Sequence, residues 1–176
     1  MMLVLSGLFA AFVAVATMMI SIPTPTKGYI NLGDCFVNLS AWLLGPIYGA
    51  CAAGIGSAAA DLLLGYTLYA PVTFVIKALM AVVSVSVYRR LTARVHGVFA
   101  RILAAVLAEL LMVCGYFIFE AVLYQSIATS LTGVPSNLAQ AVGGATLSVL
   151  LHEALLRRIP AVKALEQGGK KPVSIR

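Results

Sequence analysis

The chain has 176 residues, of which 61% are hydrophobic and only 10% are charged. Soluble domains usually carry about 25% charged residues, and a core of this length cannot hide so much apolar surface from water. The composition therefore excludes an ordinary soluble enzyme and predicts one all-α, polytopic membrane domain over residues 1–176.

Six transmembrane helices are predicted from the apolar runs and the breaks between them. Pro23 ends the first run, Gly45 and Pro46 make a tight turn after the second, and Pro71 suits the first turn of the fourth. The second run has about 11 residues, too few to cross about 30 Å of hydrocarbon at 1.5 Å per residue. The predicted spans are 2–22, 34–44, 47–64, 71–88, 102–124 and 137–156.

The basic residues fall in two groups. Ten of the 12 Lys and Arg residues lie in the segment Arg89–Arg101 or in the tail from Arg157 to Arg176. The positive-inside rule explains this net charge of +6 without nucleic acid and places both groups in the cytoplasm. Both termini are then cytoplasmic, and the loops 23–33, 65–70 and 125–136 face outward. The first apolar run lacks a basic leader, so it is expected to be a span and not a removed signal.

Five predicted helices place a polar residue in their outer third, where an ionisable group is costly and calls for a partner or a role. Local pairing is one interpretation, with Asp34 as a helix cap and Asp61 neutralising Lys77. The shared depth favours another, an outward-opening cavity for a small molecule. The residues concerned are Asp34, Asp61, Lys77, Glu120, Asn137 and Gln140, with Tyr29, Tyr66, Tyr69, Tyr116 and Tyr124 as aromatic walls.

Deeper in the membrane, two interpretations are open for Glu109 and His152: a contact that satisfies the polar groups of both, or a proton relay. The sequence contains no Gly-x-x-x-x-Gly-Lys run for ATP, and its two histidines are too scattered for zinc, so neither an enzyme nor a metal or cofactor site is predicted. Small residues recur four apart on the first span, at Gly7–Ala11 and at Ala10–Ala14. These rows either pack internally or let another protein's helix approach closely. The three cysteines, Cys35, Cys51 and Cys114, are interpreted as buried packing residues.

Four stretches between residues 28 and 77 carry a family resemblance. They are Gly28–Asp34 (GYINLGD), Gly45–Gly56 (GPIYGACAAGIG), Ala60–Tyr66 (ADLLLGY) and Pro71–Lys77 (PVTFVIK). Together they resemble the S-component of an energy-coupling-factor (ECF) vitamin transporter, in the group around riboflavin, hydroxymethylpyrimidine and pyridoxine uptake. The resemblance covers about residues 3–88, with a similar six-span plan beyond.

The resemblance implies a division of labour. The S-component binds the vitamin, while a transmembrane coupling subunit and two ATPases supply the motion. The ligand would lie near the outer face, and the first helix would meet the coupling subunit through an Ala-x-x-x-Ala pattern, matched at Ala10–Ala14 with a glycine variant at Gly7–Ala11. The implied ligand-binding residues are Lys27, Tyr29, Asn31, Lys77, Tyr116, Glu120, Tyr124 and Asn137.

Within this group, a small ring of the pyridoxine or hydroxymethylpyrimidine type is favoured over riboflavin. Two other classes of protein also fit an apolar chain of this kind. One is a self-contained, ion-coupled secondary transporter or small channel that uses Glu109 and His152 as its relay. The other is a membrane scaffold subunit without a ligand.

Overall fold

A computed structural model of the chain describes residues 1–24, 26–158 and 160. These residues form five helices and one short antiparallel β-hairpin that connects the first two helices. Four of the tail's basic residues, Lys163, Lys170, Lys171 and Arg176, lie outside the described residues. The elements are α1 (Met2–Met19), β1 (Ile22–Pro23), β2 (Tyr29–Ile30), α2 (Gly33–Leu63), α3 (Ala70–Leu91), α4 (Gly97–Leu123) and α5 (Ile127–Arg158).

All five helices in the described part of the chain are long and apolar enough to cross a membrane. Each also leaves large apolar side chains exposed, among them Leu3, Ile47, Val75, Val122 and Val142. Such surfaces are expected where lipid is the solvent. The all-α membrane fold is therefore confirmed, but the count of six spans is not, because α2 contains both the second and the third predicted spans.

The helix α2 consists of two helical segments joined at Gly45. This residue has φ 83° and ψ −175°, a conformation suited to glycine, and Pro46 follows it. Ser40 Oγ donates a hydrogen bond to the carbonyl of Gly49 at 3.2 Å. In a straight helix, nine residues would rise about 13.5 Å. The chain therefore reverses at the predicted turn, and residues 33–44 lie beside the segment that begins at 46.

Two predicted loops are shorter in the structure. The polar loop predicted at 125–136 is wrong for most of its length, because α5 begins at Ile127 and contains Pro135. Of the basic loop predicted at 89–101, only residues 92–96, between the end of α3 at Leu91 and the start of α4 at Gly97, are not helical. Polar residues and proline resemble loop composition in a sequence, but a helix satisfies the backbone amides and carbonyls near lipid, so it continues through them.

The two faces of α1 differ. A methyl group added at Gly56 of α2 would lie 2.8 Å from the Cβ of Val13 and against the carbonyl of Ala10, so this face packs tightly on α2. Gly7 and Ala11 are exposed, and nothing lies within 4 Å of the position of a Cβ at Gly7. Only one of the two small rows is therefore free to meet another protein.

The interior is filled by apolar side chains from several helices, including Val13, Leu39, Met80 and Met112. Of the cysteines, Cys35 is buried, whereas Cys51 and Cys114 are exposed. The prediction that all three are buried is wrong for the last two. An apolar run in the sequence does not distinguish the protein interior from the lipid-facing surface, because both environments are apolar.

Candidate functional site

A small cavity lies under the β-hairpin, at the end of the helix bundle that we call the hairpin end. Its volume is about 30 Å³, enough for roughly two water molecules. Six of the eight predicted ligand-binding residues line it: Tyr29, Asn31, Lys77, Tyr116, Glu120 and Asn137. Of the six polar residues grouped by their shared depth in the sequence, five line this same cavity: Asp61, Lys77, Glu120, Asn137 and Gln140.

Eight further residues line the same cavity. Asp61, Tyr69 and Gln140 were recognised from their depth but were not among the implied ligand-binding residues. Thr17, Thr24, Gly28, Ser57 and Thr73 complete the lining. Small hydroxyl side chains are common in membrane helices as packing residues, so their type and spacing gave little signal for a binding role.

Lys77 and Asp34 form a fully buried ion pair beneath the cavity. The second oxygen of Asp34 accepts a hydrogen bond from Gln140 Nε2 at 2.5 Å. Gln140 Oε1 in turn accepts from the backbone amide of Asn31 at 2.9 Å. The predicted pairing of Asp61 with Lys77 is therefore wrong, and Asp34 is not a helix cap: Leu32 holds that position.

Asp61 instead contacts the hairpin. Its Oδ1 accepts a hydrogen bond from the Tyr29 hydroxyl at 2.5 Å. Burial and the neighbouring Asp61 carboxylate raise the pKa of the Tyr29 phenol well above its ordinary value, so the hydroxyl stays protonated and donates. The Tyr29 ring also packs on Tyr66, with ring centroids 4.6 Å apart. Asp61 therefore helps to fix the position of β2 above the cavity.

Glu120 approaches the cavity from α4. Its Oε1 lies 3.5 Å from the Tyr69 hydroxyl. Its Oε2 faces Gly133 of α5, where a Cβ would lie only 2.7 Å away. Glycine at this position therefore lets α5 approach the carboxylate closely.

Two tyrosines hold the hairpin turn in place. The carbonyl of Thr26 accepts hydrogen bonds from the hydroxyls of Tyr69, at 2.6 Å, and Tyr124, at 2.7 Å. These tyrosines lie at the start of α3 and the end of α4. Burial and the neighbouring Tyr124 hydroxyl, 3.4 Å away, raise the pKa of the Tyr69 phenol, which therefore remains a donor at neutral pH. We call this three-residue arrangement the tyrosine clamp.

Lys27 and Tyr124, the other two predicted ligand-binding residues, do not line the cavity. They line a separate groove of about 400 Å³ on the outside of the tyrosine clamp, together with Tyr66 and Tyr69. Lys27 has φ 56°, in the left-handed region that is uncommon for a residue with a side chain. Tyr69 is a wall shared by the groove and the cavity.

A second polar cluster lies deeper in the bundle. Glu109 Oε1 accepts a hydrogen bond from Asn38 Nδ2 at 3.2 Å, and Asn38 Oδ1 accepts from Ser84 at 2.7 Å. His152 packs edge-on against Trp42, with ring centroids 5.5 Å apart. These contacts give Glu109 a structural partner in Asn38.

Comparison with known proteins gives the family. The chain matches the model of the family described as "ECF-type riboflavin transporter, S component" over residues 1–157. A protein from Pyrococcus woesei, described as "Uncharacterized protein in gap 3'region", is 36% identical over 148 residues, which is 84% of this chain and 96% of that protein.

The chain belongs to the ECF-type S-component family, which confirms the resemblance found in its sequence. It is therefore a multi-pass membrane protein and the substrate-binding subunit of an ECF transporter, and not an enzyme. S-components bind small vitamins and work with ECF transmembrane and ATPase subunits.

Proposed function

We propose that this chain captures a small heteroaromatic vitamin, or a vitamin precursor, in the cavity under the β-hairpin. The observation that carries the proposal is the convergence of polar side chains from α2, α3, α4 and α5 on one buried space. A concave site with a few convergent polar groups is the usual form of a small-molecule site. The aromatic rings of Tyr29 and Tyr116 supply surfaces against which a flat ring packs.

A ring of the pyridoxine or hydroxymethylpyrimidine type is the favoured ligand. The cavity of about 30 Å³ needs the least enlargement for a small ring. Riboflavin is the second candidate, because the family model carries that vitamin in its description. Binding of riboflavin requires the tyrosine clamp to open and the cavity to merge with the 400 Å³ groove outside it.

The orientation proposed for the membrane places the hairpin end outside. The turn at Gly45 lies at the opposite end, where a Cβ would be 3.1 Å from the guanidinium of Arg89. Basic residues favour the cytoplasmic side, so this end and both termini face the cytoplasm. Both segments of α2 then lie within the bilayer, which restores the plan of six helical segments.

The surface proposed to meet the ECF transmembrane subunit is the outward face of α1. Of the four small residues predicted to bind a partner, Gly7 and Ala11 are exposed, whereas Ala10 and Ala14 are partly buried. Small residues let the backbones of two helices approach closely in lipid. We therefore assign the partner contact to the Gly7–Ala11 row, with Ala10 and Ala14 at its edge.

The experiment that tests the proposed function is mass spectrometry of small molecules carried through a gentle purification of the chain. A vitamin or vitamin precursor should co-purify and be released on denaturation. Purified protein that carries no such compound and binds none of pyridoxine, hydroxymethylpyrimidine or riboflavin when these are added would contradict it.

A further inference from the structure

The carboxylates around the cavity outnumber its cations. Lys77 is the one basic residue in the lining among the residues that the structure describes, and its ammonium is already paired with Asp34 beneath the cavity. The other two charged residues of the lining are Asp61 and Glu120, which are 3% and 2% exposed. Among the described residues of the lining, two carboxyl groups therefore face the contents of the cavity, and the single cation beside them already forms an ion pair with Asp34.

Each of these carboxyl groups has one oxygen that no hydrogen bond satisfies. Asp61 Oδ2 and Glu120 Oε2 are buried and accept no hydrogen bond of good geometry from the described residues, although the Thr73 and Thr26 hydroxyls lie close to the two carboxyl groups. Ser57 Oγ, also in the lining, is likewise buried without a hydrogen-bond partner among the described residues. Buried polar atoms in folded proteins are nearly always hydrogen-bonded, and a buried carboxylate oxygen without a donor is especially costly.

These three atoms lie on two different helices, α2 and α4, and line one space. The oxygens of an ionised carboxyl group can only accept hydrogen bonds, whereas the serine hydroxyl can both accept and donate. A molecule that satisfies all of them must therefore bring at least two donors. An ionised phosphate or carboxylate group brings only acceptors, so it leaves these carboxyl oxygens without a donor.

We infer that the natural ligand is a nitrogen heteroaromatic compound that carries an amino group outside the ring, and that the site rejects its phosphorylated or carboxylated derivatives. Asp61 and Glu120 are the residues that set this preference by accepting hydrogen bonds from the ligand's N–H groups. This inference rests on the proposed function, since it specifies the ligand class of the same cavity.

The test uses ligand pairs that differ in one group, measured by isothermal titration calorimetry on the purified chain in nanodiscs. Pyridoxamine is compared with pyridoxine, and hydroxymethylpyrimidine, which carries a ring amino group, with its phosphate ester. The amine of the first pair should bind more tightly than the alcohol. The phosphate ester of the second pair should bind at least about 10-fold more weakly than the parent compound, the size expected for loss of one charged hydrogen bond.

Two variants identify the residues responsible. Glu120→Gln and Asp61→Asn keep the side-chain shape and remove the negative charge. Each should weaken pyridoxamine binding by roughly 10- to 100-fold while changing pyridoxine binding much less, so that the alcohol serves as an internal control for folding. Tyr48→Phe, at an exposed position that lines neither the cavity nor the outer groove, should leave the ratio of the two affinities unchanged.

The possible failures are distinct. If pyridoxine, hydroxymethylpyrimidine or riboflavin binds but the phosphate ester binds equally well, or neither variant changes the amine-to-alcohol ratio, the inference is wrong and the proposed function stands. If none of the vitamins and precursors binds the unaltered chain, the proposed function fails, and the inference falls with it.

Discussion

The ammonium of Lys77 and the carboxylate of Asp34 form an ion pair inside the bundle, although the two residues are 43 positions apart. The pair joins the start of α2 to the second turn of α3, directly beneath the cavity. A buried ion pair is costly to break from one side, because the remaining charge loses its partner. The contact therefore holds the floor of the site in place.

Removing Lys77 alone should destabilise the protein strongly. Lys77→Met removes the cation that pairs with the buried carboxyl group of Asp34, and it should cost about 3–5 kcal/mol of stability. The double variant Lys77→Met with Asp34→Asn removes both charges and should recover much of this loss. Thermal unfolding in detergent measures the stability of both variants, and Lys27→Met, at an exposed position, is the control. Equal unfolding temperatures for Lys77→Met and the unaltered chain would contradict the prediction.

The tyrosine clamp should control how often the hairpin opens. Tyr69→Phe and Tyr124→Phe each remove one hydrogen bond to the carbonyl of Thr26. A net contribution of about 0.5–1.5 kcal/mol for each bond predicts up to roughly 10-fold more frequent opening for each variant. Hydrogen–deuterium exchange of the backbone amides between 22 and 30 measures this opening.

The control for the clamp is Tyr48→Phe, at an exposed position on the second segment of α2. It should leave exchange in the hairpin unchanged. If the double variant of Tyr69 and Tyr124 also leaves exchange unchanged, the clamp does not hold the hairpin, and ligand entry is controlled elsewhere.

Much of the site was predictable from depth alone. A rise of 1.5 Å per residue places polar residues of different helices at one level, and five of the six polar residues grouped by that depth line one cavity, all but Asp34. Pairing within that level was not predictable. Asp34 and Asp61 lie at similar depth, and only the rotation and packing of the helices bring Asp34 to Lys77 and Asp61 to Tyr29.

The fold, like the site, was predictable from the sequence only in part. Hydropathy identified the membrane helices and the Gly45–Pro46 turn, because lipid-facing apolar runs and a Gly-Pro break are strong local signals. It placed the start of the last helix ten residues late, at 137 instead of Ile127. Polar first turns at a membrane surface have the composition of a loop, and the backbone hydrogen bonds that keep them helical leave no mark in the sequence.

Larger side chains should have different effects on the two faces of α1. Gly7→Leu combined with Ala11→Leu adds bulk on the exposed face and should leave folding and vitamin binding near normal while abolishing co-purification with the ECF transmembrane subunit. Gly56→Leu is the matched control, because it places the same bulk against Ala10 and Val13 and should lower the unfolding temperature instead. Normal partner association by the Gly7/Ala11 variant would show that the contact lies on another surface.

The orientation in the membrane can be tested at Thr92, which follows the C-terminal end of α3. A Thr92→Cys variant, in a background with the exposed Cys51 and Cys114 replaced by alanine, should resist an impermeant thiol reagent on intact cells and react after lysis. A Thr67→Cys variant in the same background, between α2 and α3 at the hairpin end, should react on intact cells. The reverse pattern would overturn the proposed topology.

Vitamin uptake by proteoliposomes tests the central claim most directly. Vesicles are prepared with this chain alone, or with the chain together with the ECF transmembrane subunit and the ATPases, and loaded with ATP on the ATPase side. Uptake of the vitamin identified by mass spectrometry should require the complete set of subunits and ATP, whereas binding should require this chain only. Uptake by the chain alone, driven by an ion gradient and independent of ATP, would contradict the account.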